Sequence, residues 1–114
     1  MPEEFTSAHQ RIGSFAPKLA SLTDDVLFAD VWERPGLSKR DRSLVTVAAL
    51  VALYRTNEMA VHMKRAIEHG LTVDELIEAI THLAFYASWP NAQTAIMTAK
   101  QLFEQAGSPG GGAS

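Results

Sequence analysis

Hydrophobic residues recur along this chain at the spacing of α-helices, and no segment alternates in the manner of a β-strand. Residues 1–13 are weakly patterned and predict only an arm or a short helix. From Ser14 the helical spacing becomes regular, and the residues that carry it are Phe15, Leu19 and Leu22. The polar cluster at residues 23–25 predicts a cap for a short helix over residues 26–32, and a proline and a glycine within residues 34–36 then break the chain.

The most apolar stretch, residues 44–53, is hydrophobic or small on every side, whereas a surface helix shows a single apolar stripe. Ser38 is a suitable N-cap, and Asp41 lies in the first turn, where the helix dipole favours a carboxylate. We therefore predict a helix that is buried all round. A polar turn at residues 55–57 leads to a second helix over residues 58–68, which is followed by Gly70 at the usual position of a helix stop.

Two further helices complete the pattern. Thr72 followed by Glu75 has the form of a capping box and opens a helix with an apolar face of Leu76, Ile77, Ile80, Leu83 and Ala84. Pro90 is tolerated only in a first turn, so it starts the last helix, which runs to Phe103. The sequence thus predicts one all-α domain over residues 1–106 and a disordered, glycine-rich tail over residues 107–114.

Composition excludes several classes of function. The 114 residues carry a formal net charge of -3 and no cysteine, which rules out disulfides, thiolate nucleophiles and cysteine-ligated metals. Basic residues are scattered apart from a short cluster at residues 39–42, so we expect no nucleic-acid partner. The longest apolar run is too short to span a bilayer, and the acidic N-terminus is unlike a signal peptide. These features predict a cytoplasmic protein without a membrane partner, small enough to form a homo-oligomer.

The candidate chemistry starts with Glu58 and His62, which are four residues apart and so share one helix face. Histidine titrates near neutral pH, and a neighbouring carboxylate fixes its tautomer and raises its pKa, so the pair suits proton transfer. The alternative is a solvated surface pair that contributes about 0.2–0.5 kcal/mol to stability. His82 is either a third group of the site or a core histidine bonded to a backbone carbonyl.

Arg42 has the planar fork that holds a substrate carboxylate, although a structural ion pair is an equal alternative. Tyr86 and Trp89, next to the Pro90 break, either line a substrate pocket or pack in a corner. A metal site would have to use Glu58 with His62, His69 and His82. No common ligand motif is present, so we predict neither a metal nor another cofactor.

An ordered series of motifs resembles the carboxymuconolactone decarboxylase family over residues 32–103. The motifs are RDRSLVT at residues 40–46, AAL at 48–50, the Glu58 and His62 pair, GLT at 70–72, DEL at 74–76 and HLAFYASWPNA at 82–92. The resemblance implies the alkylhydroperoxidase D-like fold, an all-α bundle of about six helices that assembles as a trimer or as a hexamer of two trimers.

The same family contains peroxidases, which carry Cys-x-x-Cys-x-x-x-His. When that histidine is placed on His62, the two cysteine positions fall at Arg55 and Glu58, and the peroxidases' relay glutamate falls near Ser43. Thiol redox chemistry is therefore impossible, and the chain resembles the cysteine-free branch. By resemblance, decarboxylases of the family act on a carboxylated lactone in aromatic-compound degradation and release carbon dioxide to give an enol-lactone.

The resemblance predicts a cofactor-free lyase with a small-molecule substrate. Arg42 would hold a substrate carboxylate, and His62, oriented by Glu58, would deliver the proton to the carbon that loses carbon dioxide. His82, Tyr86 and Trp89 would bind substrate. Two alternatives are another lyase or isomerase on the same scaffold and a non-catalytic oligomeric binding protein. We expect the subunit interface to use the helices over residues 44–53 and 90–103.

Overall fold

The computed structural model describes residues 7–107, and side chains up to residue 104, as a succession of helices without a strand. The α-helices are α1 (Ala8–Ile12), α2 (Pro17–Ser21), α3 (Lys39–Ala52), α4 (Thr56–Glu68), α5 (Val73–Tyr86) and α6 (Trp89–Gly107). A π-helix (Leu22–Phe28) and a 3₁₀-helix (Val31–Glu33) lie between α2 and α3. The prediction of an all-α fold is confirmed. No helix of residues 7–107 is long and apolar enough to cross a bilayer.

The chain divides between residues 39 and 40 into two compact units. In the first unit, α2 begins at Pro17 rather than at Ser14, because proline is accepted at the first helical position. The hydrophobic face predicted there is exposed: Phe15 is 92% and Leu19 is 56% accessible. Predictions that fall on residues 1–6 or 108–114 lie outside the described part of the chain.

Asp24 stabilises the start of α1 rather than capping a following helix as predicted. Its carboxylate accepts hydrogen bonds from the backbone N–H groups of Ala8 and His9, both at 2.8 Å. These bonds favour the charged form and lower the pKa of Asp24. The predicted new helix is absent because the backbone continues from α2 into the π-helix through the polar cluster.

The second unit contains α3 to α6, and two hydrogen-bonded contacts show the relative directions of these helices. The Ser43 Oγ atom lies 2.8 Å from His69 Nδ1, which joins the start of α3 to the end of α4. Asn91 Nδ2 donates to the carbonyl oxygens of Val51 and Ala52, at 3.0 and 3.3 Å, which joins the start of α6 to the end of α3. Because the connecting turns are short, successive helices alternate in direction.

This alternation gives the unit two ends. One end, which we call the Tyr54 end, is formed by the α3–α4 turn (residues 53–55) and the α5–α6 turn (residues 87–88). The Gly70 end is formed by the start of α3 and the α4–α5 turn, at residues 69–72. The predicted capping box is confirmed at the Gly70 end: Glu75 N donates to Thr72 Oγ1 at 3.0 Å, and Thr72 N donates to Glu75 Oε1 at 2.9 Å.

The core of this unit lies between its four helices. α4 contributes Met59, Met63 and Ala66, which recur every three or four residues and so form one buried stripe. The other buried members are Val47, Val51, Leu71, Leu76, Ile80, Ala92, Ala95 and Ala99. Shortening one of the larger side chains to alanine would destabilise the fold by about 2–5 kcal/mol, because the cavity is only partly refilled.

The prediction that α3 is buried all round is wrong for the single chain. α3 buries one stripe, formed by Ser43, Val47 and Val51. Val45 is 60% exposed, and Leu53, just after the helix, is 71% exposed. The reason is that burial depends on the number of neighbours: Ser43, Val47 and Val51 lie in the interior of the unit, whereas Val45 and Leu53 remain exposed among the described residues.

Candidate active site

α4 presents Glu58, His62 and Arg65 on one face, because they are spaced by four and three residues. Met59 and Met63 are buried in the core on the other side of α4, so the face with Glu58, His62 and Arg65 lies at the edge of the core and is partly exposed. His62 is consequently half-buried. The predicted shared face of Glu58 and His62 is present in the structure.

The pKa of His62 is lowered from its usual value of 6.5, which is opposite to the predicted direction. Burial of the ring is the largest cause, since it penalises the charged imidazolium, and the nearby Arg65 cation lowers the pKa further. Glu58 raises the pKa as expected but is outweighed. His62 is therefore a neutral imidazole at neutral pH in the free protein.

Glu58 is held by an arginine rather than by the histidine. Arg55 Nε donates to Glu58 Oε1 at 3.1 Å, and both side chains are well exposed. No hydrogen bond joins Glu58 to His62 within the described residues. Glu58 thus acts on His62 through its charge, and Arg55 moderates that charge.

Arg42 lies on the fourth residue of α3, toward the Gly70 end, and is half-buried. Helices rise by about 1.5 Å per residue, so Arg42 lies about 15 Å and His62 about 9 Å from the Tyr54 end. The two residues therefore differ by about 6 Å along the bundle axis.

The cavities of the second unit include three that lie against α5. A cavity of about 630 Å³ between α5 and α6 is lined mainly by apolar side chains, among them Phe85, Trp89 and Met97. A second, of about 450 Å³, lies between α3 and α5 and has a polar rim that includes Arg40 and His82. A third, of about 420 Å³, lies between α5 and α6 near the Gly70 end. Glu58, His62 and Arg42 line none of these three cavities.

The structure divides the predicted substrate-binding residues between two sides of α5. His82 is exposed and stacks on Tyr86, with ring centroids 4.8 Å apart, so it is not a core histidine. Trp89 meets Phe85 edge-on at 5.5 Å and lines the 630 Å³ cavity instead. His82 and Trp89 therefore do not share a cavity in the single chain.

Ser43 is a buried polar residue that the sequence did not single out as part of a bonded pair. Its side chain is 2% exposed, and it lies against His69, which is 26 residues away in the chain. No local pattern predicts a contact over such a separation. In the part of the chain between residues 7 and 107, no group of three or more histidine and acidic side chains could hold a metal ion.

Tyr54 is a second residue that sequence reasoning missed. Its φ angle is 60°, the left-handed region, and among the described residues it is the single non-glycine residue with a positive φ. A usable signal was present: Tyr54 follows the end of the apolar α3, where a glycine or asparagine stop is expected.

Similarity to known proteins identifies the family of this chain, which the geometry of the site alone does not. The model of the carboxymuconolactone decarboxylase family matches residues 17–101. The chain is 35% identical over 98 residues to 4-carboxymuconolactone decarboxylase from Acinetobacter baylyi, an alignment that covers 86% of this chain and 73% of the relative.

A second relative is nitrosuccinic acid decarboxylase from Metarhizium robertsii, which is 34% identical over 82 residues. The alignment covers 71% of this chain but 57% of that relative, so the chain spans little more than half of its length. Both relatives are decarboxylases, and they support a carboxy-lyase activity for this chain.

Proposed function

The chain belongs to the carboxymuconolactone decarboxylase family, and we propose that it removes carbon dioxide from a small carboxylated lactone of the 4-carboxymuconolactone type. The observation that carries the proposal is the 35% identity to 4-carboxymuconolactone decarboxylase over 86% of this chain. The family match includes every residue to which we assign a role in the site. A place in the degradation of aromatic compounds follows from this substrate.

Substrate binding is the step that sets the charge of His62. The substrate is anionic, and Arg42 offers a planar two-donor fork for one of its carboxylates. A carboxylate that lies beside the His62 ring favours the imidazolium and raises the pKa that burial and Arg65 lower in the free protein. His62 therefore takes up its proton when substrate binds, and Glu58 supports the charged form.

The decarboxylation itself breaks the bond between the ring carbon and the departing carboxylate. Carbon dioxide leaves, and the remaining electron pair spreads through the carbon–carbon double bond to the lactone carbonyl. An enol-lactone keeps a double bond at the carbon that lost carbon dioxide, so the proton from His62 enters at the other end of the delocalised system. The expectation that it enters at the carbon that loses carbon dioxide is therefore wrong for this product. The protein supplies orientation, charge stabilisation and one proton, and the proposed reaction transfers no atom to or from a cofactor.

A second candidate substrate is a small carboxylic acid without a lactone ring. The similarity to nitrosuccinic acid decarboxylase favours it, since the name of that relative describes a short dicarboxylic acid with a nitro group. Both reactions need an electron-withdrawing group that takes up the electron pair left by carbon dioxide, either attached to the reacting carbon or conjugated with it. The two candidates therefore place the same demands on Arg42 and His62.

We propose further that the protein is a homotrimer or a hexamer of two trimers. Large apolar side chains are exposed on the second unit, where Phe85 is 74%, Met97 is 62% and Val45 is 60% accessible. Burial of such side chains between copies stabilises the assembly by about 25 cal/mol per Å² of apolar surface removed from water. Light scattering coupled to size-exclusion chromatography should give a trimer or larger, whereas a monomer at micromolar concentration would contradict this proposal.

The test of the proposed function is a direct assay of carbon dioxide release. Purified protein is incubated with 4-carboxymuconolactone, with nitrosuccinate and with simple carboxylated lactones, and a His62→Ala variant serves as the control. Turnover of the first compound by the wild type, lost in the variant, is the expected result. Turnover of nitrosuccinate alone would favour the second candidate, and release from none of them would overturn the assignment.

A further inference from the structure

The end of α3 has the two crossed hydrogen bonds of a Schellman motif. Tyr54 N donates to Val51 O at 3.1 Å, and Arg55 N donates to Leu50 O at 2.8 Å. This motif requires a left-handed residue at its turn, which glycine usually provides because it has no Cβ atom. Here a tyrosine provides it, with a φ angle of 60°.

The end of α4 has the same motif with the usual residue. Gly70 N donates to Ile67 O and Leu71 N donates to Ala66 O, both at 3.0 Å. Gly70 has a φ angle of 108°, and a Cβ atom added to it would meet nothing within 4 Å. The two helix ends therefore differ in the residue at the turn and serve as matched positions within one chain.

Neither a core position nor a hydrogen bond within residues 7–107 explains the tyrosine. The side chain of Tyr54 contributes little to the core, since 52% of the residue is exposed, and its neighbour Leu53 is 71% exposed. No hydrogen bond to its phenol oxygen occurs within residues 7–107. The left-handed conformation is unfavourable for an L-residue. Strain that is not offset by favourable packing is typical of binding and catalytic sites.

The position of Tyr54 relates it to the proposed acid. Tyr54 comes directly before Arg55, the N-cap of α4, and Arg55 pairs with Glu58 on the face that carries His62. His62 lies about 9 Å further along the axis of α4. A phenol offers a flat apolar ring for an unsaturated substrate ring and a hydroxyl that can donate to a carboxylate.

We propose that Tyr54 contacts the substrate at the Tyr54 end, beside the face of α4 that carries His62, and that its strained conformation is retained because the phenol binds the unsaturated, carboxylated ring. This inference rests on the proposed function. It assigns to Tyr54 a part in binding, which is distinct from the proton transfer assigned to His62.

The test compares Tyr54→Gly with Gly70→Ala. Tyr54→Gly relieves the strain, so its melting temperature should rise by a few degrees, while KM for 4-carboxymuconolactone should rise by about tenfold with kcat little changed, as expected for lost uniform binding. Gly70→Ala introduces the same kind of strain at the matched position, so its melting temperature should fall while KM stays constant. Tyr54→Phe keeps the ring and separates the contribution of the hydroxyl.

The outcomes separate this inference from the proposed function. If Tyr54→Gly melts higher but keeps the wild-type kcat and KM, or if it melts lower because the ring stabilises the fold, the role of Tyr54 is overturned. If His62→Gln loses turnover in the same assay while Tyr54→Gly keeps the wild-type KM, only the role of Tyr54 fails. A wild type that does not turn over the lactone overturns the proposed function and this inference with it.

Discussion

The two ends of the unit formed by α3 to α6 differ in the residue at the left-handed turn and in the apolar side chains that they expose. At the Gly70 end, glycine occupies the left-handed turn, and hydrogen bonds and ion pairs hold the helix ends. At the Tyr54 end, Asn91 also joins two helices, but the same turn holds a strained tyrosine and large apolar side chains are exposed. The bonds of the first end are Ser43–His69, Arg40–Glu75 and Thr72–Glu75. The exposed side chains of the second end are Leu53, Tyr54, Tyr86 and Trp89.

The difference indicates where stability and function are located. Natural proteins keep strain and exposed apolar surface mainly where binding requires them, and satisfy their polar groups elsewhere. The Gly70 end should therefore respond to mutation through the free energy of unfolding. The Tyr54 end and the adjoining face of α4 should respond through turnover and binding.

The largest expected effect is on His62. His62→Gln keeps the approximate volume and some hydrogen bonding but removes the titrating proton, so kcat should fall by about 10²–10⁴-fold, the usual contribution of a general acid. The melting temperature should barely change. The measurement is initial-rate kinetics on a confirmed substrate with a thermal scan of both proteins. A variant that kept more than half of the wild-type rate would make His62 a structural residue, and His82 would be the next candidate.

The second prediction concerns Gly70. Alanine at a φ angle of 108° is forced into a conformation that disfavours a Cβ atom, so Gly70→Ala should lower the free energy of unfolding by about 1–2 kcal/mol. Urea titration measures this change, and an unchanged slope would show that the extent of unfolding is the same. A reduced kcat in the folded variant would contradict the assignment of stability to the Gly70 end and function to the Tyr54 end, because it would place function at the Gly70 end.

Features determined by neighbouring residues could be predicted from the sequence. The capping box of Thr72 and Glu75 and the stop at Gly70 depend on bonds within a few residues, and both are present. The shared face of Glu58 and His62 follows from helix geometry alone. Tyr54 was missed because its place after α3 marks a helix stop, but a tyrosine, unlike glycine or asparagine, does not itself favour a left-handed conformation.

Features determined by distant residues could not be predicted. Asp24 binds the start of α1 from 15 and 16 residues away, and Ser43 meets His69 from 26 residues away. The burial of α3 depends on how many helices surround it, and the pKa of His62 depends on how deeply its ring is buried. A pattern of residue types contains neither quantity, so both predictions failed.

A third prediction tests the bond that closes the Gly70 end. Ser43→Ala leaves His69 without its 2.8 Å partner and should lower the free energy of unfolding by about 0.5–1.5 kcal/mol, the net contribution of one hydrogen bond. kcat should not change. Because the resemblance predicts that the peroxidases' relay glutamate falls near Ser43, a tenfold loss of kcat in a stable variant would instead indicate that Ser43 takes part in proton transfer.

The last prediction uses pH and the charges on the His62 face. The pKa of His62 lies below 6.5 in the free protein, so kcat/KM should fall as the pH rises through that lower value, since the acid form is lost. Arg65→Gln removes a charge that lowers this pKa and should move the fall to higher pH. Glu58→Gln removes the charge that raises it and should move the fall to lower pH.

Stability provides an independent check of the same pKa. Because the folded-state pKa of His62 is lowered, the unfolded chain takes up the proton first as the pH falls below 6.5. This group therefore removes stability progressively from that pH down to its folded-state pKa, and His62→Gln should abolish that part of the loss. Shifts of kcat/KM in the same direction for Arg65→Gln and Glu58→Gln would show that the two charges do not act on His62, and the proton donor would then lie outside this face of α4.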